Sequence, residues 1–340
     1  MKKIIQQAFF QLRNQPLLSV ITVLGTALAI ALIMVILIVY QAKTADYAPE
    51  VNRSRSLYVK WERTVYDKKD PNSAGHSRPS LWLVKEIFYP LTTPEAVTAT
   101  YEGGEVLVGT VGSDEEMNTP LMLTDAAFWK VYQFRFLAGK PFTEADFQSG
   151  MKQAVIAKSV ARRLFGGVEN AIGKDILVNF AAYTVCGVVD DVNRFCEFTW
   201  SEVYAPYTSN AIASEAEAGQ TSGNNVITIL ARSTDDFDAI RNEVARGVAQ
   251  INTTLGDMEL QLMGQPDNFR MQLNRKFANQ YENLNANFWK YGIMILIILL
   301  VPAINLSGLT NTRMRRRLEE LGIRKAFGAT RNELVWQVLN

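Results

Sequence analysis

Residues 17–40 read LLSVITVLGTALAIALIMVILIVY and contain no charged side chain. An α-helix rises about 1.5 Å per residue, so about 20 apolar residues cross the roughly 30 Å hydrocarbon core of a bilayer. A second uncharged run of membrane length covers residues 291–311. We therefore predict a membrane protein in which two transmembrane α-helices flank a large outer domain.

The first run differs from a secretory signal peptide. It is longer than the apolar core of about 7–15 residues that is usual there, and no small-residue cleavage site clearly ends it. The segment before it, residues 1–16, has apolar positions on one helical face, with Lys2, Lys3 and Arg13 around them. We predict a cytoplasmic interfacial helix there. The alternative is the cytoplasmic end of the first span itself.

Charge is segregated along the chain, although the whole has a formal net charge of only +1. Residues 1–40 have a net charge of +3, residues 312–340 a net charge of +4, and the region between them a net charge of −6. Short basic flanks stay in the cytoplasm. Both termini are therefore predicted to be cytoplasmic, with the large domain outside.

The outer region alternates strand and helix patterns. The strand patterns are SLYVKWER, EVLVGTV, KDILVNFAAYTVCGVVDDV (a hairpin) and NNVITILARS, and AVIAKSVARRLFG predicts a strand followed by a helix that ends at Gly166. A helix from about Asp235 has Ser233 or Thr234 as its cap. Residues 67–80 are predicted as a loop. The fold class is α+β, as one domain or two lobes, with antiparallel pairing.

The last outer segment has a different pattern. Apolar side chains recur at helical spacing in residues 266–290, namely Leu273, Phe277, Tyr281, Leu284 and Phe288. We predict a stalk helix that continues into the second span. Such a helix could transmit motion, or its apolar stripe could simply pack on the outer domain.

No catalytic constellation stands out, so we expect no enzyme, no cofactor and no metal. GGVENAIGKD, residues 166–175, has the wrong spacing for a phosphate-binding loop. His76 has no second histidine beside it, and Asp190 and Asp191 are adjacent, as expected for a strand that ends in a turn. Basic residues cluster beside the membrane, which argues against nucleic-acid binding.

Three polar positions leave alternatives open. Cys186 and Cys196 could form a disulfide in the outer region or remain as two thiols. Asn305, inside the second run, could contact a substrate or form a hydrogen bond between helices.

The tail after the second run, residues 313–331, reads RMRRRLEELGIRKAFGATR. Its arginines would anchor the helix at the headgroups, and Gly322 and Gly328 interrupt two short segments. Thr330 with Glu333 fits a capping box that opens a new helix. The tail is predicted to be a compact cytoplasmic elbow.

The segment EELGIRKAFGATR resembles the E-x-G-I-R-K-A-x-G-A signature of ABC transporter permeases of the MacB/FtsX superfamily. Residues 8–32 resemble the opening helix and first span of that family. DAAFWKVYQFRFLAGKPFTEADF and residues 154–192 resemble its periplasmic core domain. The resemblance covers most of the chain in the family's order.

The resemblance implies a domain organisation of consecutive segments. They are 1–16 cytoplasmic interfacial helix, 17–40 first transmembrane helix, 41–265 extracytoplasmic MacB-like core domain, 266–290 stalk helix, 291–311 second transmembrane helix, and 312–340 coupling elbow with the start of a further helix. The family has four spans, so we expect this sequence to be a fragment or a truncated product. The implied location is the bacterial inner membrane, with the large domain periplasmic.

The resemblance also implies a permease subunit that couples ATP hydrolysis to motion of the outer domain. Its partners would be a separate cytoplasmic ABC ATPase, a second permease (homo- or heterodimer), membrane lipid and a periplasmic partner protein. The implied ATPase contact region consists of Glu319, Glu320, Gly322, Arg324, Lys325, Gly328 and Ala329.

Two readings from other classes compete with the permease. A two-span sensory receptor explains the topology, but such receptors usually continue into long heptad-patterned helices, and the tail of this chain is short and broken by glycines. A membrane-anchored hydrolase lacks catalytic residues.

Overall fold

The computed structural model describes residues 16–110, 112, 116–278, 280–281, 289, 292–300, 303, 322–323, 325–328 and 330. Two units can be distinguished, Ala42–Asn283 and a second unit made of Met1–Gln41 with Leu284–Asn340. The predicted interfacial helix and Asn305 lie outside the described residues.

The first apolar run forms helix α1, Pro16–Thr44. Val23–Thr44 within it is long and apolar enough to cross a membrane, and it is the one such helix in the described part of the chain. Its side chains are mostly exposed, as expected of a helix whose solvent is lipid. Residues 292–300 of the second run are also helical.

The unit Ala42–Asn283, which we call the outer unit, is built from β-strands with short helices between them. The strands are β1 Ser56–Val59, β2 Glu62–Val65, β3 Ala74–Pro79, β4 Ala96–Thr110, β5 Glu116–Thr124, β6 Phe136–Gly139, β7 Gln153–Ala157, β8 Asp175–Val178, β9 Ala181–Val189, β10 Val203–Pro206, β11 Ser222–Gly223, β12 Asn225–Leu230, β13 Glu259–Gln261, β14 Asp267–Asn268, β15 Arg275–Phe277 and β16 Gln280–Tyr281. The helices are α2 Leu81–Leu83, α3 Phe128–Val131, α4 Glu144–Gln148, α5 Lys158–Phe165, α6 Ala211–Ser214, α7 Phe237–Asn252 and α8 Phe269–Asn274.

The largest sheet has the strand order β14-β1-β12-β4-β5-β10-β7-β9-β6, and β8 pairs with β4 and β9. Most neighbours are antiparallel, as predicted, but β5–β10 and β7–β9 are parallel. A smaller sheet has the order β11-β3-β2-β13. The α+β class is confirmed.

Several predicted elements are confirmed in detail. α5 ends at Gly166, whose φ of 71° is left-handed and free of strain only for glycine. Ser233 forms a capping box with Asp236 ahead of α7. KDILVNFAAYTVCGVVDDV forms the antiparallel hairpin β8–β9.

Two predictions are wrong. Residues 74–79 are a strand rather than a loop, because their backbone pairs with β2 on one side and β11 on the other. The continuous helix over 266–290 is also replaced. α8 ends at Asn274, and Arg275–Phe277 pairs with Gln280–Tyr281 as a short hairpin. The Arg275 guanidinium is buried against Asp267, and this pairing takes the segment out of the helical path.

Candidate functional site

Residues 322–323 and 325–328 of the elbow form a helical turn that ends at Gly328. The backbone N–H of Phe327 donates to the Ile323 carbonyl at 3.1 Å, and that of Gly328 donates to the Lys325 carbonyl at 3.1 Å. Gly328 has φ +90°, a conformation that L side chains rarely adopt. The turn therefore depends on this glycine.

Two apolar side chains on this turn are exposed. Ile323 is 59% exposed and Phe327 is 88% exposed, and they lie four residues apart, one helical turn, on the same face. Neither Ile323 nor Phe327 was predicted as a site residue, although their spacing of four residues within a charged segment was a usable signal. Of the predicted contact residues, Gly322, Lys325 and Gly328 lie in this turn. Glu319, Glu320, Arg324 and Ala329 lie outside the described residues.

Arg53 forms a buried junction at the point where α1 enters the outer unit. Its Nε donates to Glu50 Oε2 at 2.7 Å, and its Nη1 donates to the carbonyls of Ala45 at 2.8 Å and Ala42 at 3.5 Å. Its Nη2 donates to the Phe195 carbonyl at 3.0 Å. A cation at the carbonyl end of a helix satisfies acceptors that have no intrahelical partner.

Aromatic rings lie close to the same guanidinium. Arg53 Cζ lies 4.4 Å from the centroid of the Tyr47 ring and 5.0 Å from that of Phe269. The planar guanidinium suits such contacts while it donates hydrogen bonds in its own plane. The side chain of Arg53 is fully buried.

Glu50 extends this junction to a distant loop. Its Oε1 accepts from the backbone N–H of Phe198 at 3.0 Å and from the Thr199 hydroxyl at 2.9 Å. Burial raises the pKa of the Glu50 carboxyl, and the Arg53 guanidinium opposes that shift. The last turn of α1, the 3-10 helix Arg53–Arg55 and the loop after β9 are thus linked by one ion pair. We call this group the Arg53 junction.

A second buried arginine lies where the chain leaves the outer unit. Arg275 Nε donates to Asp267 Oδ2 at 2.5 Å, and its Nη2 donates to Asp267 Oδ1 at 3.1 Å, a bidentate pair. It also donates to the carbonyls of Ala278 and Met263. Asp267 lies in β14, which pairs with β1. The strand that contains Asp267, β14, and the strand that follows Arg53, β1, are therefore neighbours in the sheet.

The other candidate residues have structural roles. His76 lies in β3, where its ring meets the Phe277 ring edge-on with centroids 5.5 Å apart. Asp190 accepts from Lys158 Nζ at 3.2 Å, a bond that lowers the pKa of its carboxyl. Across the described residues, no group of His, Cys, Asp and Glu side chains is arranged to hold a metal ion.

The two cysteines are free thiols in the structure. Burial raises the pKa of the Cys186 thiol to about 12, so its reactive thiolate form is suppressed near neutral pH.

Comparison with protein families gives two matches in sequence order. The profile of the MacB-like periplasmic core domain matches residues 19–246. The profile of the FtsX-like permease C-terminal region matches residues 292–339, which include the elbow.

Curated relatives agree with these families. The chain is 22% identical over 326 residues to the uncharacterized ABC transporter permease YknZ of Bacillus subtilis, covering 94% of this chain and 76% of that protein. It is 25% identical to the macrolide export ATP-binding/permease protein MacB of Wolinella succinogenes, covering 98% of this chain and 49% of that protein. It is 24% identical to the pyoverdine export ATP-binding/permease protein PvdT of Pseudomonas fluorescens, covering 63% of this chain and 31% of that protein.

Solved structures of similar domains were also found. The extracellular domain of YknZ from Gram-positive bacteria matches 61% of this chain with 19% identity and a TM-score of 0.43. A domain of a permease protein from Porphyromonas gingivalis matches 64% of this chain with 16% identity and a TM-score of 0.48.

Proposed function

The chain belongs to the MacB/FtsX-type ABC permeases, and on this premise we propose that it is a permease subunit whose outer unit is moved by a separate cytoplasmic ATPase. The observation that carries this proposal is the order of the two family matches, a periplasmic core domain followed by a permease segment. Permeases of this family sit in the inner membrane with a periplasmic domain.

The proposed orientation follows from charge and hydropathy. α1 is the first span, and residues 291–311, of which 292–300 are helical, form the second. The basic flanks at both ends stay in the cytoplasm by the positive-inside rule, so the outer unit faces the periplasm as one or two lobes. A second permease subunit, lipid and a periplasmic partner complete the proposed assembly.

The proposed coupling begins at the elbow. Ile323 and Phe327 offer an exposed apolar contact for the ATPase, and Lys325 adds a charge beside it. ATP-driven closure of the ATPase would push on this turn and move the second span. The buried ion pairs of Arg53 with Glu50 and of Arg275 with Asp267 hold the first and last segments of the outer unit within that unit, which supports its movement as one piece.

The test is co-purification of the full chain with a co-expressed ABC ATPase from the same source genome. Gly328→Asp would strain the turn at φ +90° and add a negative charge, so we expect ATPase recovery to fall at least tenfold. The matched control is Gly219→Asp in the outer unit, where φ is +85° and no atom lies within 4 Å of an added Cβ. Equal recovery with both variants would remove the elbow from the coupling role.

The match of the tail to the FtsX-like permease C-terminal region argues against the two-span receptor.

A further inference from the structure

The outer unit contains a cavity of about 450 Å³, within the size range of small-molecule sites. It lies among the π-helix Val84–Phe88, the start of β4, helix α4 and the 3-10 helix Tyr207–Ser209. Residues from distant parts of the sequence therefore converge on it.

The lining of this cavity includes a buried carboxylate. Asp125 is 4% exposed, and four donors bind its oxygens. Oδ1 accepts from Thr98 Oγ1 at 2.6 Å and from the Phe128 N–H at 3.0 Å. Oδ2 accepts from the Ala99 N–H at 2.9 Å and from the Tyr89 hydroxyl at 2.7 Å. Four donors match the ionised carboxylate, which only accepts.

These bonds fix the direction of a hydroxyl relay. Tyr89 gives its single phenolic hydrogen to Asp125, so in the 3.2 Å contact between the Tyr89 and Tyr207 oxygens the hydrogen comes from Tyr207. Tyr207 then has only lone pairs left. The relay thus ends at the cavity with the Tyr207 oxygen as a hydrogen-bond acceptor. At its other end, the Asp125 carboxylate has no cation among its four hydrogen-bond partners.

The walls of the cavity favour a positively charged ligand. The Phe147 ring meets the Tyr207 ring edge-on with centroids 4.7 Å apart, and both residues line the cavity. Aromatic faces attract cations. Glu144 adds an exposed carboxylate to the lining, and the exposed ammonium of Lys85, also in the lining, is screened by water.

The π-helix contributes to this arrangement. The Tyr89 N–H donates to the Val84 carbonyl at 3.0 Å, five residues back, in place of the usual four. π-helical turns are rare and recur at functional sites. Here the wide turn immediately precedes Tyr89, the central residue of the relay.

We propose that this cavity is a binding site for a small organic ammonium compound, whose charged nitrogen donates to Tyr207 and whose apolar part lies against Phe147. The ligand is recognised by its positive charge and N–H donors, and neither feature depends on ATPase coupling. The site therefore goes beyond the proposed function and does not rest on it.

Isothermal titration of the full chain in detergent tests the site with three phenyl probes of similar size that differ in charge: 2-phenylethylammonium, 2-phenylethanol and phenylacetate. We expect the ammonium to bind at least tenfold more tightly than the alcohol, and phenylacetate to give no heat of binding. Equal affinities for the three probes would overturn the proposal.

Tyr207→Phe removes the terminal acceptor while the ring stays, and we expect it to weaken ammonium binding about tenfold. Tyr132→Phe is the matched control, because it removes a buried phenol that bonds Thr228 Oγ1 at 2.8 Å and does not line the cavity. We expect that variant to bind as the parent does. Equal losses in both variants, or no loss in Tyr207→Phe, would contradict the proposal. Both variants keep the aromatic ring and therefore its packing. Circular dichroism before the titration checks that each variant is folded.

Discussion

Glu50 and Asp125 are both buried carboxylates of the outer unit, yet their surroundings differ. Glu50 is paired with the Arg53 guanidinium, whose Nη1 and Nη2 also donate to backbone carbonyls. Asp125 is held only by neutral donors, two backbone N–H groups and two hydroxyls. The charge at Glu50 is neutralised in place, whereas the charge at Asp125 is balanced by dipoles alone.

This difference separates a structural site from a candidate binding site. A buried ion pair whose two members also bind other segments joins those segments, and removing one member leaves the other charge buried without a partner. A carboxylate at the end of a hydroxyl relay leaves an acceptor at a cavity wall. Burial raises the pKa of both carboxyls, but only at Glu50 does a neighbouring cation oppose the shift.

The largest expected effect comes from Arg53→Met, which leaves Glu50 buried without its cation. We expect the free energy of unfolding of the outer unit to fall by about 3–5 kcal/mol. Guanidinium unfolding of the full chain in detergent, followed by tryptophan fluorescence, measures it. Arg55→Met is the matched control on the same 3-10 helix, because Arg55 pairs with the partly exposed Glu95. Its cost should be about 1 kcal/mol. Equal costs would contradict the buried-junction account.

A smaller loss is expected for Asp125→Asn, an isosteric change. Each oxygen of Asp125 faces one backbone N–H, from Ala99 or Phe128, so either orientation of the amide points its NH2 group at a fixed donor. The expected cost is about 2–3 kcal/mol in the same unfolding experiment. No measurable cost would mean that the four donors do not hold an ionised carboxylate.

The pH dependence sharpens the contrast further. Because burial raises the pKa of Asp125 above its ordinary value of 3.8, the folded chain holds this proton more tightly than the unfolded chain does. The stabilisation that comes from this tighter proton binding is fully present below pH 3.8, and it is lost as the pH rises through the raised pKa of Asp125. Between pH 3.8 and the raised pKa, the unfolding midpoint should fall more steeply with pH in the parent than in Asp125→Asn. Parallel slopes would argue against a raised pKa at this position.

The smallest expected effect is that of Tyr207→Phe on stability. It removes the donor to Tyr89 at the open end of the relay while leaving Asp125 with all four of its own donors. We expect a cost of about 0.5–1 kcal/mol, from thermal unfolding of the full chain. A cost as large as that of Asp125→Asn would indicate that Tyr207 is a structural part of the carboxylate site.

Local patterns in the sequence were enough for much of this fold. Alternation predicted β8, β9 and β12, and Ser233 and Gly166 predicted the start and end of two helical segments, because such features depend on neighbours in the chain. The pattern failed at residues 266–290. There, apolar residues at helical spacing were outweighed by the pairing of Arg275 with Asp267 and by the contact of the Phe277 ring with Trp61.

Of the candidate sites, one was predictable from neighbouring residues in the sequence and another was not. The elbow was predicted from a contiguous signature, and its turn at Gly328 has the backbone conformation that favours glycine. The Arg53 junction was missed because Arg53 and Arg55 look alike in sequence, two arginines in a polar run. Their difference in burial depends on Phe195 and Phe269, which are far away in the chain.

The sequence by itself determined the membrane-length run that became α1, the α+β class of the outer unit and the family to which the chain belongs. Uncharged length, periodicity and contiguous motifs are properties of neighbouring residues. Only the tertiary structure decided that Arg53 and Asp125 are buried and that Asp125, Tyr89 and Tyr207 form one relay. Burial and hydrogen-bond direction depend on segments that meet only after folding, and no local pattern specifies those meetings.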